Sequence, residues 1–351
     1  MRLERNPRLH AGDYRGRGQS GRGSIFMSIT YQPKKILVIR RNRMGDMICT
    51  LPLLRALRKN FPTAFIKVVC ERKGEPIARA CGAVDEVYLL KKGVNRLHTL
   101  LLNLRALRGC DLAIGVKAGF DRHLAAMIRW SGARHRIGYA PGPRSFHYSH
   151  RLSLPPSEES QIESCLRLLT PLGIKESSMD LHLDLPASAL EFAERLAVNK
   201  AFNKRFITVF NLSSNRDQWP TENYAQLGKL ILEKKKGLIA LSCLPEDRHR
   251  ADEILKSLPP NDVFIFQSSS PLELAALFKR GHLLITPEGG SAHLAAASGI
   301  PTLVLWPQYS PLEKWKSQSD RHFNLRGSGA LKMISVEDVW EIVQLKFFPE
   351  N

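Results

Sequence analysis

Short apolar runs alternate with amphipathic stretches along most of the chain. Lys35–Arg40 (KILVIR) has an unbroken apolar centre, the pattern of a strand buried on both faces. Ile48–Asn60 follows, with Leu51, Leu54 and Leu57 spaced for one face of a helix. The alternation continues through strands at Phe65–Cys70, Val84–Leu90, Leu112–Val116 and Arg136–Tyr139 and helices at Leu97–Leu107 and Arg122–Trp130. Ala140–Glu159 is rich in Pro, Ser, His and Arg and reads as a loop. Helices at Gln161–Leu169 and Ala187–Val198 lead into a second series. Its strands are Phe206–Phe210, Leu238–Leu241, Val263–Phe266, Leu283–Thr286 and Thr302–Leu305. Its helices are Asn223–Glu233, Arg248–Lys256, Pro271–Phe278 and Ser291–Ser298, and Val336–Lys346 closes the chain.

Strands alternating with helices predict parallel βαβ units. Two series of similar size in 351 residues predict an α/β protein with two Rossmann-like domains and a cleft between them. The expected division is an extension over 1–33, an N-terminal domain over 34–180 and a C-terminal domain over 181–351. In such sheets ligands bind beyond the carboxyl ends of the strands. The longest mostly apolar stretch, Ala292–Trp306, is broken by Gly299 and Pro301. It falls short of the roughly 20 residues that a spanning helix needs.

Residues 1–26 hold six Arg and two acids among Gly and Ser, with almost nothing to bury, so disorder is expected there. They lack the apolar core of a signal peptide. Gly16–Gly21 matches GxGxxG by letter only, because no strand precedes it and no helix follows. Met27 reads as an alternative start for the folded protein. The extension contributes only a net +4 to the overall +19, so the folded part is basic too. That balance implies an anionic partner: nucleic acid, an anionic membrane face or a phosphorylated substrate. Six scattered cysteines without a CxxC pair read as free thiols in a reducing compartment. His147 and His150 form an HxxH with no third ligand nearby, so no metal site is expected.

Three loops could carry chemistry. Arg40–Asp46 (RRNRMGD) lies between the first strand and its helix, where Asp46 reads as a general base or as a helix cap, with Arg–Asp pairing within the loop compatible with either. Thr286–His293 (TPEGGSAH) pairs two glycines with a helix N-terminus, an anion site able to take a pyrophosphate. The alternative there is a plain strand–helix turn with Ser291 as N-cap and His293 as a packing residue. Asn211–Pro220 (NLSSNRDQWP) offers Ser213, Ser214 and Arg216, the last a fork matched to phosphate. The chain has no Walker A run, no GxGxxG in a βαβ setting and no DxD-like acidic cluster, so hydride transfer and P-loop phosphoryl transfer drop out.

At RNRMGDMICTLPLL the residues resemble the opening of the lipopolysaccharide heptosyltransferases, glycosyltransferase family 9. Arg136-Ile137-Gly138-Tyr139, Pro171-Leu172-Gly173-Ile174, the SSNRDQWP loop and PEGGSAHLAAASGIPTLVLW match the family in order. The resemblance covers roughly Lys34 to Val343. It implies a GT-B fold, with the acceptor on the N-terminal domain and the nucleotide sugar on the C-terminal one. It implies inverting heptose transfer from ADP-heptose to the lipid A–core acceptor, with no cofactor and no essential metal. The implied base is Asp46. The implied donor site is Ser213, Ser214, Arg216, Asp247, Glu288, Gly289, Gly290, Ser291 and His293. On the acceptor side Arg41, Arg43, Met44, Gly45, Lys117 and Arg122 are the candidates, with Arg144 beside them.

The sequence departs from the family pattern at four places. Glu288 stands where Asp is usual, and Asp217 where a Lys precedes the Trp-Pro. Cys243-Leu244-Pro245 replaces Gly-Gly-Pro near the ribose, with Glu246 and Asp247 next to it as ribose ligands. Ser160 replaces a His ahead of the interdomain helix. The expected location is the cytoplasmic face of the inner membrane, held by charge. Alternatives are another GT-B donor or acceptor, or an inactive nucleotide-sugar-binding homologue. A nucleic-acid partner is set aside for want of an RNP-type motif or zinc finger.

Overall fold

The computed structural model describes residues 32–348, apart from 42, 92–95, 142–145, 177, 203–204, 213–216 and 268–269. The expectations for the segment before residue 32 and for Ser213, Ser214, Arg216 and Arg144 therefore lie outside the described residues. The first half holds β1 (Lys35–Arg40), α1 (Met44–Ile48), α2 (Leu51–Asn60), β2 (Phe65–Cys70), α3 (Glu75–Arg79) and β3 (Glu86–Leu89). It continues with α4 (Arg96–Leu107), β4 (Leu112–Gly115), α5 (Arg122–Trp130), β5 (His135–Tyr139), β6 (His150–Leu152) and α6 (Gln161–Arg167). After α7 (Ala187–Asn199) come β7 (Phe206–Asn211), α8 (Thr221–Lys234), β8 (Gly237–Ser242), α9 (Arg248–Ser257) and β9 (Val263–Phe266). The chain ends with α10 (Pro271–Arg280), β10 (Leu283–Pro287), α11 (Gly290–Ser298), β11 (Thr302–Trp306), α12 (Leu312–Trp315), β12 (His322–Arg326) and α13 (Val336–Phe347).

Two six-stranded sheets result, ordered β3-β2-β1-β4-β5-β6 and β12-β11-β10-β7-β8-β9. Each pairing within them is parallel. This is the α/β double-Rossmann architecture expected of GT-B. Helices cover the sheets, which is why Ile36–Ile39 and Leu283–Ile285 are apolar without interruption and almost wholly buried. The strand order reverses between β1 and β4 and again between β7 and β10. Those are the two switch points at which a crevice opens above the strand ends.

Three local differences from the sequence reading have physical causes. The helix expected over Ile48–Asn60 is two helices, α1 and α2, meeting at Cys49–Thr50. Pro52 lies in the first turn of α2, where its missing N–H does no harm; within a continuous helix its ring would strike the carbonyl of Ile48. The loop expected over Ala140–Glu159 contains β6, a three-residue edge strand with one buried side chain. The strand β12 was also absent from the sequence reading; its HFNLR alternates weakly and it closes the other sheet at an edge.

The two sheets face each other through short helices. The first turn of α1 packs on α11, and α3 packs on α10. Leu183 N–H donates to Ala297 O at 3.2 Å, tying the segment ahead of α7 to α11. Among the described residues no helix is long and apolar enough to cross a membrane.

Candidate active site

The site begins with a charge at the end of an apolar strand. β1 is buried on both faces, and its last residue is Arg40, whose side chain is 1% exposed. A buried guanidinium requires partners. Its Nη1 donates to Val116 O at 2.7 Å, just past β4, and its Nη2 donates to Asp46 Oδ1 at 2.5 Å. Asp46 is the third residue of α1, and its Oδ2 accepts the Arg43 N–H at 3.3 Å. The helix-cap reading of Asp46 and its pairing with an arginine of the loop are both present. A carboxylate oxygen has two lone pairs, and the cap leaves Oδ2 able to accept a second proton donor.

Asp46 lines a cavity of about 310 Å³ together with Arg41, Arg43, Glu71 and Lys73. Three cations face two acids there, which suits a hydroxyl-bearing ligand that also carries negative charge. Arg41 stands between Glu71 and Asp121, at 3.7 Å and 3.6 Å. Asp121 caps α5 through His123 N–H and Leu124 N–H and takes Lys117 Nζ at 2.9 Å. Its partial burial opposes ionisation, but the Lys117 bond, the Leu124 N–H and the Lys117 and Arg41 charges outweigh that and hold its carboxyl at about 2. Of the acceptor-side candidates, Arg41 and Arg43 therefore line the cavity. Lys117 is joined to it through Asp121, and Arg122 is exposed at the start of α5. Glu71 and Lys73, from the turn after β2, were not singled out in the sequence. Their signal is positional: they follow the strand that neighbours β1 on the side away from β4.

The second half of the site is the turn into α11. Helix α11 starts at Gly290 with Gly289 as N-cap, so Ser291 is its second residue and not the cap. Gly289 has φ 145°, a conformation that side-chain-bearing residues rarely adopt. Ala292 N–H of the first turn donates to Gly289 O at 3.2 Å, while the N–H groups of Gly290 and Ser291 have no intrahelical acceptor and carry the positive end of the helix dipole. Glu288 Oε1 accepts from Ser310 Oγ at 3.2 Å, which fixes the carboxylate beside that turn.

Met44 and Gly45, expected on the acceptor side, form the contact between the two halves. A Cβ on Gly45 would lie 2.8 Å from His293 Cδ2 and 3.4 Å from Gly290 Cα. A Cβ on Gly290 would meet Met44 Cε at 3.0 Å. Glycine on each side lets the turn bearing Asp46 and the turn into α11 touch. His293 is buried beneath this contact, with Nδ1 3.7 Å from Cys49 Sγ and its ring edge-on to Trp315 at 5.7 Å. Burial pushes its pKa down from 6.5 to about 4, with the Asp46 charge opposing weakly. Burial likewise pushes the Cys49 thiol far up, so it is neutral.

A histidine with a lowered pKa stabilises the closed contact fully above pH 6.5 and withdraws that contribution as pH falls toward 4. We expect His293 to titrate near pH 4 in an imidazole-resolved NMR titration of wild type. Titration at its ordinary value would mean the contact is not formed in solution.

Of the remaining donor candidates, Asp247 follows β8, and Ser213, Ser214 and Arg216 belong by sequence to the loop after β7 and lie outside the described residues. Arg250 of α9 is 6% exposed and holds both ends of that loop, with Nη1 donating to Leu212 O at 2.5 Å and Nη2 to Trp219 O at 2.7 Å. Asp217, where the family pattern has Lys, accepts from Tyr309 Oη at 3.0 Å and from Leu331 N–H at 2.6 Å. It is a tie between loops. Asp247 is mostly buried at the start of α9 and accepts from Gln218 Nε2 at 3.3 Å. Arg250→Ala strands two buried carbonyls at about 1–3 kcal/mol each. We expect a clear fall in melting temperature and a loss of nucleotide affinity, both measurable by thermal shift with and without ADP.

The model of glycosyltransferase family 9 (heptosyltransferase) matches residues 103–336, two thirds of the chain. The chain belongs to glycosyltransferase family 9. It is thus a glycosyl-transfer enzyme of the heptosyltransferase family. The lipopolysaccharide core heptosyltransferase OpsX of Haemophilus influenzae is 20% identical over 301 residues, 81% of this chain and 82% of that one. The glycosyltransferase family 9 structure from Veillonella parvula superposes with a TM-score of 0.80 at 19% identity, covering 90% of this chain and 97% of that one. E. coli ADP-heptose LPS heptosyltransferase II superposes with a TM-score of 0.73 at 20% identity, covering 90% and 98%. At those identities the superpositions establish the GT-B fold of this family 9 member.

Proposed function

We propose that this family 9 enzyme transfers heptose from ADP-heptose to the lipid A–core acceptor of lipopolysaccharide, with inversion at the anomeric carbon. The observation that carries the reading is the glycine-to-glycine contact, which brings the turn bearing Asp46 against the N-terminus of α11. A base on one wall and an anion cradle on the other suit a displacement in which a hydroxyl attacks and a diphosphate departs.

In this reading the acceptor hydroxyl enters the cavity of Arg41, Arg43, Asp46, Glu71 and Lys73. Its oxygen bonds to the anomeric carbon while its proton passes to Asp46 Oδ2. The bond from that carbon to the β-phosphate oxygen breaks on the opposite face. The growing charge on ADP is met by the N–H groups of Gly289, Gly290 and Ser291 and by the helix dipole, with Arg216 adding its fork. Glu288, held by Ser310, is oriented to accept from heptose hydroxyls, and Asp247 from ribose hydroxyls. Ser213, Ser214 and His293 complete the donor-side assignment. Asp217, already engaged by Gln218 N–H, Tyr309 Oη and Leu331 N–H, is not assigned to the pyrophosphate.

The relative OpsX is by name a lipopolysaccharide core heptosyltransferase, and one superposed structure is by title an ADP-heptose enzyme. These names and the net charge of +19 support an anionic lipid-borne acceptor and attachment to the cytoplasmic face of the inner membrane by charge. The test is ADP release with purified protein, ADP-heptose and a panel of truncated core acceptors. Release that depends on acceptor and fails with ADP-glucose or UDP-sugars is expected. Acceptor-dependent turnover of another nucleotide sugar in place of ADP-heptose would reassign the donor. Binding of ADP-heptose without turnover on any core acceptor would favour a binding-only homologue.

A further inference from the structure

We infer that Arg40 is the positioning residue of the reaction: its buried guanidinium sets the orientation of the Asp46 carboxylate relative to the β4–α5 loop. The inference rests on the assignment of Asp46 as base, and it assigns to Arg40 no contact with substrate.

The geometry is specific. Arg40 reaches across the switch point of the first sheet, from the end of β1 to the carbonyl just past β4. The same planar group spends Nη1 on Val116 O and Nη2 on Asp46 Oδ1, so one rigid fork fixes two elements at once. Val116 is followed by Lys117, whose ammonium engages Asp121, which in turn faces Arg41 of the cavity wall. The base and the loop on the acceptor side are thus referenced to a single side chain. Asp46 sits on a five-residue helix, α1, too short to hold a carboxylate rigidly through its own backbone ladder.

A surface ion pair could not do this, because two long side chains in water lose their shared geometry. Here the guanidinium is 1% exposed and the carboxylate 13%. A lysine could supply charge at the same depth, but only as a single point without the fork.

The test is a double-mutant cycle read as steady-state kinetics, using the full chain with ADP-heptose and its acceptor. Arg40→Met is expected to lower kcat about 100-fold, the scale on which a misplacement of about 1 Å costs activity, with the donor KM nearly unchanged. Arg40→Lys is expected to restore part of that loss. In the Asp46→Asn background the same Arg40→Met change is expected to cost little further, since there is no base left to orient. If Arg40→Met lowers kcat equally in both backgrounds, Arg40 acts on the fold or elsewhere and the inference fails. If Arg40→Met does not fold, the Arg40→Lys limb of the same cycle decides it. Full activity of Asp46→Asn itself would instead refute the assignment of the base, a result distinguishable from either.

Discussion

Asp46→Asn is expected to lower kcat by about 10²- to 10⁴-fold while leaving ADP-heptose affinity within a few-fold of wild type. The amide keeps the size of the carboxylate but offers one acceptor oxygen where Asp46 uses two, so it can serve the Arg43 N–H or Arg40 Nη2 and not both. What it loses is the ability to take a proton from a hydroxyl in the cavity it lines. Asp46→Ala is expected to do more. Arg40 would keep its burial and lose its carboxylate, and an unpaired buried charge costs about 3–5 kcal/mol. Both variants lose turnover and both leave Arg40 without its carboxylate, but alanine also removes the remaining acceptor oxygen and is expected to lower the melting temperature further. Calorimetric titration of ADP-heptose against stopped-assay kcat is the measurement. Retained turnover in the asparagine variant would exclude Asp46 as base.

The second large effect comes from one methyl group at the domain contact. Gly45→Ala places a Cβ 2.8 Å from His293 Cδ2, with the Gly290 backbone just behind, so the two halves must separate. His293 is buried, with Trp315 edge-on to its ring. Alanine favours a helix over glycine by about 1 kcal/mol, so any loss cannot be charged to the helix itself. We expect kcat/KM to fall by about 10- to 100-fold with little change in melting temperature, and His293 to titrate closer to its ordinary value. Gly290→Ala is expected to be milder, because its Cβ meets only the flexible tip of Met44 at 3.0 Å. Kinetics and the imidazole titration check the ranking; wild-type kinetics for Gly45→Ala would mean that catalysis does not use this contact.

Much of the fold could be read from the chain because its strands are covered on both faces. Runs such as KILVIR and the apolar start of β10 have no other use in a protein of this composition. What escaped was short, polar or at an edge. β6 and β12 close their sheets with three and five residues, and an edge strand is not obliged to be apolar. The break between α1 and α2 was legible in principle from Pro52, but the leucine spacing continued through it.

The site divided in the same way. The loops after β1, β7 and β10 were identifiable because ligands lie beyond strand ends at a switch point, and their unusual residues stood out locally. Gly45, Met44 and Gly290 looked like loop chemistry, yet their geometry is that of a contact between residues nearly 250 positions apart, which local spacing does not encode. Arg–Asp pairing in the first loop could be read from the sequence, but not which of its three arginines makes it. The difference of Arg40 from Arg41 and Arg43 is burial, a property of the packed sheet rather than of the sequence pattern. Asp247 read as a candidate ligand by position and Asp217 as a departure from the family's Lys, and packing shows Asp217 committed to Tyr309 and Leu331.

The central claim is a single displacement in which Asp46 accepts the proton of an attacking hydroxyl. It is tested most directly by the anomeric configuration of the product, read by NMR after incubation with ADP-heptose and a core acceptor. The account predicts an acceptor heavier by one heptosyl residue whose anomeric configuration is opposite to that of the donor. Retained configuration would require a covalent or front-face route and would contradict the role given to Asp46.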